Sequence, residues 1–148
     1  MDYRRLRVWR LADEFAFSTY RLVSALPPKD RYGIGEQLWR AALSVPSNIV
    51  EGYTRDSTRQ LLYHVNVAIG SLAESLYLLD LATRLGLLHV TDARTATELG
   101  VDLRPRLRAF AGAVRGGRSR FTGMEDGPTR IPSSRVRAVR GGTSVSGG

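Results

Sequence analysis

The chain has 148 residues, which is enough for one domain with a single buried core. Its apolar share of 43% and its charged share of 24% are ordinary for a globular protein. The sequence contains no cysteine, which excludes disulfides, thiolate metal sites and a cysteine nucleophile.

The net charge of +8 is unevenly distributed along the chain. Residues 1–114 carry 15 basic and 12 acidic side chains, whereas residues 115–148 carry seven arginines and two acidic residues. Asp13 and Glu14 interrupt what would be the apolar core of a signal peptide, and no run of about 18 apolar residues occurs. We therefore expect a cytoplasmic protein without a membrane partner.

Helical periodicity of apolar residues predicts two helices in the first third of the chain. The first covers residues 6–26 and ends at Pro27 and Pro28, which cannot continue it. The second covers residues 34–52 and ends at Gly52. Pro46 lies inside the second helix and is expected to bend or split it, because it removes one backbone donor.

Two further helices are predicted downstream. Residues 57–60 form a capping box that opens a third helix, which runs to about Arg84. A fourth helix, capped by Thr91 and Asp92, extends toward Val114, with a break near Gly100 and Pro105 as the alternative. Because no strand pattern competes, we predict an all-α, antiparallel up-down-up-down four-helix bundle over residues 1–115. Residues 116–148, rich in glycine, serine and arginine, are predicted to be a disordered tail.

The third helix has more apolar residues than one core stripe needs. Helical geometry at about 100° per residue places several of them opposite that stripe, and the first helix has a milder excess. A contiguous apolar patch usually marks an interface, so we predict self-association; the alternative is that neighbouring helices cover these residues within one bundle. The candidate interface residues are Trp9, Phe17, Tyr20, Val67, Tyr77, Leu78 and Leu81.

The chain lacks the motifs of the metal-dependent and nucleophilic enzymes considered. A carboxylate-bridged metal pair in a bundle needs Glu-x-x-His, and no histidine follows any glutamate at that spacing. His64 and His89 are isolated, and no nucleophile elbow or phosphate loop occurs. We therefore predict a protein that is not an enzyme and binds no metal or cofactor.

The polar residues of the second helix point to a structural network. Asn48 is expected to face inward and to satisfy backbone groups freed by Pro46, while Glu51 is expected to pair with Arg40 or Arg55. A functional role for these residues is the alternative. The network is predicted to comprise Arg40, Asn48, Glu51, Ser71 and Glu74.

Two groups of arginines are candidates for nucleic-acid binding, since guanidinium binds phosphate bidentately. Tyr3, Trp9 and Tyr53 lie among them and could stack on bases. The alternative is a set of solvated faces with local ion pairs. The candidates are Arg4, Arg5, Arg7 and Arg10 at the N-terminus and Arg55 and Arg59 around the second turn.

Several separated motifs resemble a known family in the right order. They are Leu6-Arg7-Val8-Trp9, Gln37-Leu38-Trp39-Arg40-Ala41-Ala42, Ser44-Val45-Pro46-Ser47-Asn48-Ile49-Val50-Glu51-Gly52 and Ala68-Ile69-Gly70-Ser71-Leu72-Ala73-Glu74. Over residues 4–114 the chain resembles the bacterial 23S rRNA intervening-sequence protein family. The resemblance implies an antiparallel four-helix bundle that assembles as a homopentamer. The chain is also similar to the accessory variability determinant of diversity-generating retroelements, a partner of reverse transcriptase and nucleic acid.

Two functional hypotheses follow. The first is a non-enzymatic homo-oligomeric adaptor, expected to be pentameric, that binds RNA or DNA through arginine–phosphate contacts. The alternative is a protein–protein scaffold, with a reverse transcriptase or ribosomal protein as partner and no nucleic-acid binding by the folded core.

Overall fold

A computed structural model describes residues 2–117, and this part of the chain is all-α, as predicted. A 3-10 turn at Tyr3–Arg5 precedes the first long helix, and a short helical segment, Pro28–Asp30 followed by Arg31–Gly35, precedes the second. The long helices are α1 (Arg7–Ser24), α2 (Glu36–Tyr53), α3 (Thr58–Arg84) and α4 (Val90–Arg115).

The four helices form a closed bundle in which α1 and α3 each pack against both α2 and α4. Between α2 and α3, Ser44 contacts Ser71 and Asn48 contacts His64. Residue numbers therefore rise along α2 as they fall along α3, which makes these two helices antiparallel. Short links between the long helices suit the up-down-up-down order that the sequence predicts.

The ends of α3 follow the sequence signals closely. Ser57 Oγ accepts a hydrogen bond from the Gln60 backbone N–H at 3.4 Å, so Ser57 is the N-cap of α3. Gly86, just beyond the helix, has a φ of 73°, a conformation that glycine adopts without strain. The start of α4 differs slightly: its N-cap is His89, and the helix begins at Val90 rather than after Thr91 and Asp92.

Neither internal proline interrupts its helix. Pro46 is buried inside α2, which continues unsplit to Tyr53. Pro105 lies inside α4, which has no break there or at Gly100. A methyl group at Gly100 would lie 2.7 Å from Leu76 Cδ2 and 3.0 Å from a ring carbon of Phe15. Glycine at this position lets α4 pack closely on α1 and α3, and this packing outweighs the low helix propensity that made a break the alternative.

The core contains large side chains from all four helices, including Phe15, Ile49, Leu72 and Phe110, each at most 1% exposed. Among the described residues, α3 is the one helix that is long and apolar enough to cross a membrane by length and composition alone. Core helices pass the same test, and α3 contributes eight buried residues to the bundle. The predicted disordered tail, residues 116–148, lies outside the described residues except for Gly116 and Gly117.

Candidate nucleic-acid interface

Both predicted arginine groups lie at the same end of the bundle. The Tyr3–Arg5 turn contacts α2, so the start of α1 lies beside the link between α2 and α3. A cavity between α1 and α4 is lined by Leu22 and Asp92, and Gly100 lies against Phe15. Helix α4 therefore runs antiparallel to α1, and its last turns also reach this end.

We call this region, residues 2–10, 51–62 and 106–117, the arginine end. It contains nine arginines and three carboxylates, and one of these arginines, Arg106, pairs with Asp102 one turn earlier on α4. The opposite end, residues 20–40 and 80–95, contains six basic and four acidic side chains. The topology thus concentrates a positive charge that the sequence spreads over three segments, and such a concentration attracts polyanions.

Arg10 differs in role from the arginines around it. Its guanidinium donates through Nε to the Arg4 carbonyl at 2.8 Å and through Nη2 to the Arg5 carbonyl at 3.4 Å. Arg10 therefore fixes the N-terminal turn onto α1 and holds Arg4 and Arg5 at the surface, where both are exposed. Arg7, one residue inside α1, is exposed as well.

The aromatic residues predicted as stacking candidates pack against other residues of the chain or are buried. Tyr3 packs edge-on against Trp9 with ring centroids 4.9 Å apart, and the Arg4 guanidinium lies 5.2 Å from the Tyr3 ring centroid. Tyr53 is only 8% exposed. By contrast Tyr63, which is not among the sequence candidates, is 64% exposed on α3, directly after the residues of the arginine end.

A hydrogen-bonded cluster joins α2 to α3 beneath the arginine end. Asn48 Nδ2 donates to the carbonyl and to the hydroxyl of Ser44, at 2.8 Å and 3.0 Å. Its Oδ1 lies 3.0 Å from His64 Nδ1, and because this oxygen can only accept, His64 Nδ1 carries the proton. His64 Nε2 then faces Glu51 Oε1 at 3.7 Å, and Arg55 Nη2 donates to the same oxygen at 2.7 Å.

The cluster depends on close helix packing. Ser44 Oγ lies 2.9 Å from Ser71 Oγ, a direct hydroxyl contact between α2 and α3. At Gly52, an added methyl group would lie 2.8 Å from His64 Cβ and 3.1 Å from Leu61 Cδ1. Glycine is therefore required for the approach that brings His64 to Asn48.

Three details of the predicted polar network are wrong. Asn48 donates to the Ser44 carbonyl rather than to that of Ala42, which Pro46 deprives of its usual donor. Of the two partners predicted for Glu51, Arg55 is confirmed at 2.7 Å, and Arg40 instead pairs with Glu36, one turn earlier on α2, at 2.7 Å. Glu74 is exposed on α3 and joins none of the hydrogen bonds of the cluster.

The model of the 23S rRNA-intervening sequence protein family matches residues 4–108. The chain belongs to this family. The match extends from the N-terminal turn into α4 and includes most of the arginine end.

A solved structure has the same fold. It is the crystal structure of a protein of unknown function from the S23 ribosomal protein family of Bacteroides thetaiotaomicron VPI-5482. It aligns with a TM-score of 0.63 and 19% sequence identity, over 70% of this chain and 97% of that chain. None of the curated proteins matches.

The predicted interface residues of this 23S rRNA-intervening sequence family member differ in exposure. Phe17, Tyr20 and Tyr77 are at least half exposed. Trp9, Val67 and Leu81 are half-buried. Leu78 is only 4% exposed, so its assignment to an outer surface is wrong: the buried face of α3 is wide enough to include it together with Ser75 and Ala82.

The exposed and half-buried apolar residues of α1, α2 and α3 lie on two separate surfaces. Tyr20 packs on Trp39 of α2 with ring centroids 5.0 Å apart, and Leu43 follows Trp39 by one turn and is exposed. We call Phe17, Tyr20, Trp39 and Leu43 the α1/α2 patch. Val67, Tyr77 and Leu81 form a second surface, the α3 stripe. Sequence periodicity missed Trp39 and Leu43 because it treated each helix alone.

Residues 2–117 contain no group of three or more histidine and carboxylate side chains arranged to hold a metal ion. Glu51 is paired with Arg55, and Glu14 and Glu74 are exposed on different helices. The arrangement of charge at the arginine end is the feature of the described residues that points to a function.

Proposed function

We propose that this chain is a non-enzymatic, homo-oligomeric adaptor of the cytoplasm that binds RNA or DNA by phosphate neutralisation at the arginine end. The observation that carries this proposal is the convergence of nine arginines and three carboxylates at one end of the bundle. Such a surface neutralises phosphates irrespective of base sequence and releases counterions as it binds.

Within this proposal, Arg4, Arg5, Arg7, Arg55 and Arg59 contact phosphates, and Arg10 positions the N-terminal turn. Arg59 makes no ion pair within the described residues. Arg55 is shared with Glu51, but an exposed pair four residues apart on one helix contributes only about 0.3–0.5 kcal/mol. Glu51 is therefore a weak competitor for a nucleic-acid phosphate.

The C-terminal segment adds to the same charge. Residues 118–148 contain six arginines and two acidic residues, and they follow α4 directly where it ends at the arginine end. A binding experiment must therefore separate the folded surface from this segment.

Self-association supports the adaptor role. The α1/α2 patch and the α3 stripe involve different helices, and two unlike surfaces that pair head to tail generate a closed ring when the rotation permits. The pentamer implied by the family resemblance is one such ring. Because a ring repeats the arginine end in every subunit, one polyanion can engage several subunits with increased avidity.

A salt titration tests the proposal. Binding of a fluorescent single-stranded RNA to the full chain is measured by anisotropy, and the slope of log K against log salt is compared with that of Arg55→Gln/Arg59→Gln. We expect the variant slope to fall by about 0.7 for each phosphate contact removed. A matched control, Arg40→Gln/Arg94→Gln, removes two arginines at the opposite end and is expected to leave the slope unchanged.

A second variant locates the binding surface. Replacing the six arginines of residues 118–148 by glutamine leaves the sequence of residues 1–117 unchanged, and we expect salt-dependent binding to persist. If binding is lost with this variant, or if the two double variants weaken binding equally, the arginine end is not the binding surface.

The α1/α2 patch favours one alternative, a scaffold that presents this surface to a protein such as a reverse transcriptase or ribosomal protein. In that case a partner would bind in the presence of nuclease and would be lost with Phe17→Asp. It would be retained by Arg55→Gln/Arg59→Gln.

A further inference from the structure

Tyr63 is an exposed aromatic residue in a positively charged setting. It lies near the start of α3, one helical turn after Arg59 and on the same face of the helix. Its side chain is 64% exposed, whereas Tyr53, the tyrosine at the end of α2, is buried.

The position of Tyr63 is defined by the residue that follows it. The Tyr63 ring packs edge-on against the His64 ring, with centroids 5.2 Å apart and an interplanar angle of 80°. His64 is itself held by Asn48 Oδ1 at 3.0 Å and faces Glu51 at 3.7 Å. Tyr63 is therefore attached to a segment of α3 that is fixed by hydrogen bonds. This fixed position lowers the entropy lost when a ligand packs against the Tyr63 ring.

We propose that Tyr63 is a stacking platform for an unpaired base, with Arg59 and Arg55 beside it for the adjoining phosphates. This inference rests on the proposed function and narrows its ligand to single-stranded RNA or DNA. A base within a duplex is covered on both faces by its neighbours, whereas an unpaired base can stack on an aromatic ring. Exposed aromatic rings on positively charged surfaces bind single strands without base readout, and Arg59 lies one helical turn from Tyr63.

Tyr77 provides a matched comparison on the same helix. It is 56% exposed and lies 14 residues further along α3, about 21 Å away at 1.5 Å per residue. Its neighbours three residues before and after are the carboxylates Glu74 and Asp80, and Asp80 pairs with Arg84 at 2.9 Å. Exposure is similar at the two tyrosines, but Tyr77 has no arginine one helical turn away on α3.

The test uses the full chain and a 12-nucleotide oligoadenylate RNA with one 2-aminopurine, beside a blunt duplex of the same length. We expect Tyr63→Ala to weaken single-strand binding by roughly tenfold and to abolish the stacking-induced fluorescence change, with little effect on duplex binding. Tyr63→Phe keeps the ring and should retain both signals. Tyr32→Ala, which removes a tyrosine that is 75% exposed at the opposite end of the bundle, should behave like wild type. The salt slope should stay unchanged in Tyr63→Ala, because stacking releases no counterions.

An oligodeoxyadenylate of equal length tests single-stranded DNA beside the RNA. We expect Tyr63→Ala to weaken the binding of both by the same factor. Single-strand binding that is unchanged in Tyr63→Ala would overturn the stacking inference and leave the proposed function standing. The inference is also overturned if Tyr63→Ala dissociates the oligomer in sedimentation velocity, which would make Tyr63 a subunit contact. If the wild-type chain binds none of the probes, the proposed function itself fails.

Discussion

Gly52→Ala should destabilise the protein even though alanine is the better helix former. A methyl group at this position would lie 2.8 Å from His64 Cβ, 3.1 Å from Leu61 Cδ1 and 3.2 Å from the Leu61 carbonyl oxygen. One of these atoms belongs to the backbone and another is fixed directly to it, so no simple side-chain rotation removes the clash. The relief available is a separation of α2 from α3.

The magnitude follows from two opposing effects. Overpacking in a well-packed site costs about 1–3 kcal/mol, and the upper half of this range applies here because separation would stretch the Ser44–Ser71 and Asn48–His64 contacts. Replacing glycine by alanine within a helix contributes about 1 kcal/mol in the opposite direction. We therefore expect Gly52→Ala to lower the free energy of unfolding by about 1–2 kcal/mol.

Gly70→Ala is the matched control, since Gly70 lies in the neighbouring helix α3 and a methyl group there meets nothing within 4 Å. It should raise the free energy of unfolding by up to about 1 kcal/mol. Urea unfolding followed by circular dichroism, at one protein concentration because self-association shifts apparent stability, measures both variants. If Gly52→Ala and Gly70→Ala change the unfolding midpoint in the same direction by similar amounts, the close-approach argument is refuted.

Two further predictions concern the cluster beneath the arginine end. Asn48→Ala leaves His64 Nδ1 without its acceptor and should lower the free energy of unfolding in urea by about 1–3 kcal/mol. Its control, Ser47→Ala, loses only a bond to its own helix backbone and should change this free energy by less than about 0.5 kcal/mol. Glu51→Gln removes the carboxylate that pairs with Arg55 and should tighten single-stranded RNA binding about twofold at low salt in the anisotropy assay. Glu36→Gln, which removes an equivalent pair at the opposite end, should have no effect, and equal effects of the two substitutions would argue against a localised site.

The helices were largely predictable from the sequence because their boundaries are local. Ser57 as N-cap and the end of α3 before Gly86 depend on residues within one turn of the boundary. The split of α2 at Pro46 and the break of α4 at Gly100, which the sequence left open, do not occur. Whether a proline or glycine interrupts a helix depends on contacts with other helices, which a single-helix pattern does not contain.

The candidate site was also only partly predictable, because some of its features are local in sequence and others depend on contacts between helices. Six of its nine arginines were identified, four near the N-terminus and two around the link between α2 and α3. The third contribution, from the end of α4, becomes apparent only when the bundle topology is known. Arg10 was placed among the phosphate contacts because a sequence gives no sign of which backbone carbonyls a guanidinium can reach. Tyr63 could have been found by its spacing, since it follows Arg59 by four residues, but only the structure distinguishes it from the buried Tyr53.

The segment Asn48-x-x-Glu51-Gly52 of α2 acts as one unit in the packing of α2 against α3. Gly52 permits the close approach of α3, this approach brings His64 within 3.0 Å of Asn48, and the remaining histidine nitrogen is directed toward Glu51. The donor and acceptor of the Asn48 amide are both engaged inside the protein, so Asn48 is poorly suited to ligand binding. Glu51 is half exposed and links this hydrogen-bonded segment to Arg55. In the proposed function, the polar residues of α2 therefore act indirectly, by fixing the helix segments that carry Arg55 and Tyr63.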